Sequence, residues 1–110
     1  MQIREEKQNK IHVFIIEGRL DSNTAPTFEE KVDEVIATGV KWMIIDFKNL
    51  EYVSSAGLRV IFKTTTDLKR QEGKLVLCSM ADYVKEVFEV SGFDSFLSIM
   101  DSRDEAQKLF

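Results

Sequence analysis

Ser54 and Ser55 stand side by side between a strand-like run, Lys41–Phe47, and a helix-like run, Leu58–Phe62. A serine at the start of a helix meets backbone N–H groups that have no partner inside the helix, together with the positive end of the helix dipole. Three roles follow from that position: capping the helix, binding an anion, or carrying a phosphate. Catalysis would be a fourth, and it requires a base. Serine nucleophiles usually draw on histidine, and the only histidine, His12, lies far upstream inside an apolar run. A hydrolase elbow also sets glycine two residues before its serine, where this chain has Val53. One His and one Cys are too few for a zinc site. Val53–Gly57 carries one glycine where a phosphate-cradling loop needs several, and no lysine closes it. The serine pair therefore reads as a substrate or a binding element. No catalytic residue, metal or cofactor is expected in this chain.

The elements that would hold the serines alternate in type. Ile11–Ile16 is β-branched and aromatic and reads as a strand, with His12 a strand residue at the sheet surface. The polar break Lys7–Lys10 suggests a hairpin to a first strand near residues 2–7. Gly18–Asn23 reads as a loop ending in helix-capping types. Ala25, Phe28, Val32, Val35 and Ile36 recur at helical spacing, with Pro26 in the first turn and Gly39 as the stop. Trp42–Phe47 is nearly continuous in apolar residues, as in a strand covered on both faces. Leu58, Ile61, Phe62, Thr65 and Leu68 form the apolar face of a second helix that Gly73 closes. The run Thr64–Thr66 is unusual there, since threonine is a weak helix former. Leu75–Cys78 is a short buried strand, and Val84, Val87 and Phe88 mark a third helix ended by Ser91-Gly92. Phe96–Met100 reads as a last strand and 101–110 as a terminal helix. Strands alternating with helices predict an α/β domain with parallel strands.

Composition bounds the function. A chain of 110 residues with 44% apolar and 31% charged residues fits one folded unit, 1–110, with its own core. A net charge of −4 argues against a nucleic-acid surface, which needs a basic stripe. No run reaches membrane-spanning length, and the charged start Met1–Lys7 lacks a signal peptide's apolar segment. A single cysteine suits a reducing compartment. A cytoplasmic protein is expected, with no direct nucleic-acid or membrane partner.

At this point the residues carry a likeness. The run Asp46-Phe47-Lys48-Asn49-Leu50-Glu51-Tyr52-Val53-Ser54-Ser55-Ala56-Gly57-Leu58-Arg59-Val60-Ile61 resembles the signature of the STAS domain, as found in bacterial anti-sigma factor antagonists. Gly18-Arg19-Leu20-Asp21 before the Ala25-Pro26 helix start resembles that family's earlier motif, and Val87–Phe96 its third-helix and last-strand region. The resemblance spans nearly the whole chain in order. It implies the STAS fold, a mixed sheet of about five strands (an N-terminal hairpin, then parallel strands) with about four helices packed on it. It also implies a partner switch. The unphosphorylated protein binds an anti-sigma factor that is a serine kinase, which frees a sigma factor. Phosphorylation at the second helix's N-terminus, with ATP consumed by the kinase, ends the complex, and a PP2C-type phosphatase restores it. Alignment on Gly57-Leu58 puts the phosphoacceptor at Ser55, with Ser54 as second choice. Family members often carry Asp just before that serine, and this chain has Ser54 there.

Ser54 or Ser55 can cap the helix, and capping is compatible with a phosphoacceptor Ser55 while it is unmodified. The loop Asp21-Ser22-Asn23-Thr24 is expected beside the serines, because both segments follow strands and begin helices at one sheet edge. That loop and Ser54, Ser55, Ala56, Gly57 and Arg59 form the expected partner face, while Asp21 and Asn23 serve equally well as helix caps. The chain is expected to be a monomer or a weak dimer. The alternatives are a STAS scaffold that is never phosphorylated and a small-anion-binding domain.

Overall fold

The β-branched run at Ile11 opens β2 (Ile11–Leu20) in the computed structural model, which describes residues 1–110. A two-residue turn at Asn9 and Lys10, with Asn9 at φ 58°, joins it antiparallel to β1 (Gln2–Gln8). Asparagine tolerates that left-handed conformation better than most residues. β3 (Trp42–Val53), β4 (Lys74–Cys78) and β5 (Ser98–Met100) add in parallel, in the order β1-β2-β3-β4-β5. Parallel neighbours need crossovers, and α1 (Ala25–Ala37), α2 (Ser55–Arg70) and α3 (Asp82–Ser91) supply them. A short α4 (Arg103–Gln107) follows β5. The fold is the expected α/β mixed sheet with four helices.

One sheet face carries the main core. Phe14, Ile16, Met43, Ile45, Phe47 and Leu77 meet Phe28 and Val32 of α1, Leu58, Ile61 and Leu68 of α2, and Phe88 of α3. Phe14 meets Phe28 edge-on, with ring centroids 5.6 Å apart, and Phe47 meets Phe88 likewise at 5.8 Å. The other face buries Val13, Ile15, Ile44, Val76 and Cys78 beneath Ala106 of α4. Arg103 holds α4 in place, with Nη2 2.5 Å from Glu6 Oε2 on β1. Between α1 and α2, Lys63 Nζ lies 3.0 Å from Asp33 Oδ1 and 3.2 Å from Asp67 Oδ2. Those two carboxylates, Asp33 first, raise the ammonium pKa well above its ordinary 10.5.

Several element bounds differ from the sequence reading. Gly18–Leu20, expected as loop, is strand. Gly18 at φ 97° absorbs a register shift, and β2 goes on pairing with β3 as far as Leu20 opposite Val53. β3 likewise runs past its apolar run to Val53, with Leu50 and Val53 buried among polar neighbours. Phe62 is not on the buried face of α2: it is 40% exposed and stacks on Phe93 with ring centroids 5.5 Å apart. Thr64 takes the buried place instead, its hydroxyl donating to the Val60 carbonyl at 2.8 Å. That back-bond is how threonine is accommodated inside a helix. Phe93–Phe96 is a 3-10 turn, so the last strand keeps only Ser98–Met100, and the terminal helix spans five residues.

Candidate functional site

Parallel pairing brings the carboxyl ends of β2 and β3 together, where binding sites of open α/β sheets tend to form. Leu20 lies opposite Val53, and the Ser54 N–H donates to the Leu20 carbonyl at 2.9 Å. The loop 21–24 and the start of α2 therefore leave one edge side by side.

The two serines divide their roles there. Ser54 is extended, at φ −98° and ψ 175°, and its Oγ accepts from the Gly57 N–H at 3.3 Å. Ser54 is thus the helix cap. Ser55 is the first helical residue, exposed, with its hydroxyl outside the protein's own hydrogen bonding. The expectation that Ser55 could also cap is corrected: a residue already in helical conformation points its side chain away from the orphan donors that the preceding extended residue reaches.

Gly57, expected on the partner face, is buried. A Cβ there would lie 2.8 Å from Leu20 Cγ and 2.9 Å from the Leu20 carbonyl oxygen. Its absence lets α2 sit directly on the end of β2, so Gly57 positions the serines and offers no surface. Ala56 is half-buried, and Arg59, one turn beyond Ser55, is exposed.

In the neighbouring loop, Asp21 Oδ1 accepts from the N–H groups of Asn23 at 2.9 Å and Thr24 at 3.2 Å. The Thr24 hydroxyl donates to the Arg19 carbonyl at 2.8 Å and accepts from the Asp21 N–H at 2.9 Å. The Asn23 N–H, then the N–H and hydroxyl of Thr24 and the Arg19 guanidinium, hold the Asp21 carboxyl below its ordinary 3.8, against partial burial that pushes it up. Asp21 and Thr24 thus set the loop's shape, while Ser22 and Asn23 are exposed beside the serines.

A shallow groove of about 570 Å³ runs from Ser55 between α2 and α3, with Tyr52 and Leu58 on one side and Tyr83, Val87 and Val90 on the other. Glu86 stands on its α3 side. Tyr52 carries the Arg19 guanidinium 4.2 Å above its ring. Tyr52, Tyr83 and Val90 escaped the sequence reading. Their signal was present: Val90, 82% exposed, is an aliphatic on the polar side of a helix.

His12 is remote from all of this. It pairs with Met43 at the opposite end of the strands, roughly 30 Å from the serines at about 3.3 Å per strand residue. Its Nε2 lies 2.9 Å from Glu5 Oε1, and its ring packs on Phe14 at 4.8 Å.

The family model described as STAS domain matches residues 2–106. The chain belongs to the STAS domain family. BtrV of Bordetella bronchiseptica, which bears the name of an anti-sigma factor antagonist, is 33% identical over 110 residues, covering 100% of this STAS domain and 95% of BtrV. The structure of the anti-sigma factor antagonist SpoIIAA in its unphosphorylated form superposes with a TM-score of 0.82 at 21% identity, over 96% of this chain and 92% of that one. The phosphorylated form of the Bacillus protein SpoIIAA gives 0.75 at 20%, over 97% of each. At such identities the two structures speak for the fold. No helix of this STAS domain is long and apolar enough to cross a membrane.

Proposed function

We propose that this STAS domain is an anti-sigma factor antagonist that works as a phosphorylation switch on Ser55. The observation that carries the reading is the division of labour in the first turn of α2. Ser54 satisfies the helix end, which leaves the Ser55 hydroxyl exposed and unengaged for a kinase. The name of BtrV, the 33% identical relative, supports the same output.

Unphosphorylated, the protein binds an anti-sigma factor serine kinase through Ser22, Asn23, Ser55 and Arg59 and frees the sigma factor. In the complex the kinase transfers the γ-phosphoryl group of ATP. The bond from Ser55 Oγ to phosphorus forms as the bond to the β–γ bridging oxygen breaks; ADP leaves, and the hydroxyl proton passes to a base of the kinase. The phosphate adds about −1.5 to −2 charges. A helix N-terminus tolerates that charge, so the fold survives. The interface does not. Desolvating the phosphate, or facing it with like charge, costs several kcal/mol, and ~3 kcal/mol is already more than a hundredfold in affinity. A PP2C-type phosphatase resets the state.

The test is incubation with an anti-sigma factor serine kinase from the same organism, plus ATP, followed by mass spectrometry and a binding assay. Phosphate is expected on Ser55, absent in Ser55→Ala, with kinase affinity reduced more than ~100-fold by phosphate or by Ser55→Asp. A complex that persists at full phosphorylation would instead mark a scaffold module. A tightly held small anion with no protein partner would mark a ligand-binding domain.

A further inference from the structure

Arg59 is exposed on the second turn of α2 and takes part in none of the protein's ion pairs or side-chain hydrogen bonds. It stands four residues after Ser55 on the same helix, the spacing at which side chains become neighbours. Helical side chains tilt toward the N-terminus, so a long residue covers the turn before its own Cα. For Arg59 that turn holds Ser55. An acid followed four residues later by a base is also the better of the two orientations for a helical ion pair. A guanidinium matches phosphate oxygens in bidentate geometry.

We propose that the phosphate on Ser55 is captured in cis by Arg59. This rests on Ser55 being the phosphoacceptor. Phosphorylation then acts twice. It places charge on the partner face, and it withdraws from that face the one unpaired cation in the first two turns of α2. Arg19, at the neighbouring end of β2, is already engaged: its guanidinium lies over Tyr52, and its Nε is 3.7 Å from Asp21 Oδ2. Glu86, across the groove on α3, faces the phosphate with like charge and cannot compete for it.

The test needs no kinase. Full-length protein carrying genetically encoded phosphoserine at position 55 is titrated by phosphorus NMR at low and high salt, alongside the same protein with Arg59→Gln, Arg59→Lys or Arg19→Gln. Glu86, Asp21 and the helix end are common to all four, so differences report the substituted cation. The phosphate's second pKa, ordinarily about 6, is expected to sit roughly 0.15–0.4 higher in Arg59→Gln than in the parent. Arg59→Lys should recover part of the difference, and high salt should shrink it. Identical titrations in the parent and Arg59→Gln overturn the capture, as does a change seen only in Arg19→Gln. Either result leaves the kinase reading of Ser55 standing. Transfer of phosphate to another residue in the kinase reaction overturns both.

Discussion

At the first turn of α2, one 3.3 Å hydrogen bond separates two chemically identical side chains. Removing the Ser54 hydroxyl leaves the Gly57 N–H without its acceptor, and an N-cap serine replaced by alanine costs about 1 kcal/mol. Ser55 is exposed and makes no such bond, so its replacement should fall within about 0.5 kcal/mol. Urea melts of Ser54→Ala and Ser55→Ala are therefore expected to differ, the first destabilised and the second near the parent. Equal losses would mean that both serines serve the helix end, and Ser55 would no longer be free for modification. The sequence narrowed the cap to these two positions without choosing. The choice depends on which residue is the last extended one, and a backbone angle, not a residue type, decides that.

The helices were legible from spacing, with instructive failures inside α2. Thr64–Thr66 read as an anomaly, and the structure resolves two of the three: Thr64 and Thr66 bond back to the Val60 and Phe62 carbonyls at 2.8 and 3.1 Å. The Thr65 hydroxyl is buried without a partner. An unpaired buried hydroxyl costs about 1–3 kcal/mol. Thr65→Val keeps the shape and removes that group, and should raise stability by about 1 kcal/mol in denaturant unfolding. A loss would show that the hydroxyl has found a partner, such as a bound water. Phe62 illustrates the opposite error. Periodicity alone put it in the core, but on α2 the positions Leu58, Ile61, Thr64 and Leu68 face the sheet. Phe62 falls to the side, against Phe93 and Phe96.

For the molecule as a whole, the sheet separates two unequal cores, and the smaller one depends on the short α4 and its Arg103–Glu6 pair. Cys78 lies in that smaller core, and burial pushes its thiol from 9.0 up to about 11. A group whose pKa is raised on folding stabilises fully below the unfolded value and loses that contribution as pH rises through the folded one. Stability should thus fall between about pH 9 and pH 11, with roughly 2–3 kcal/mol of the loss owed to this thiol. Comparing the parent with Cys78→Val by urea melts across that range isolates it. Parallel slopes in the two proteins would mean that water already reaches the thiol in the folded state. The same view of the sheet places His12 at the opposite pole from the serines, beyond any proton transfer to Ser55.

Residue types and their spacing were enough to determine an α/β domain, its order of strands and helices, and the apolar faces of α1 and α3. Such patterns are local, and each element must bury its own stripe wherever it finally packs. The tertiary structure alone decided that Ser54 caps while Ser55 is free, that Gly57 is a buried contact with Leu20, and that a groove lined by Tyr52, Tyr83 and Val90 opens beside the serine. Those features join residues from β2, β3, α2 and α3. Their distances follow from strand register and helix docking, and a one-dimensional pattern carries neither.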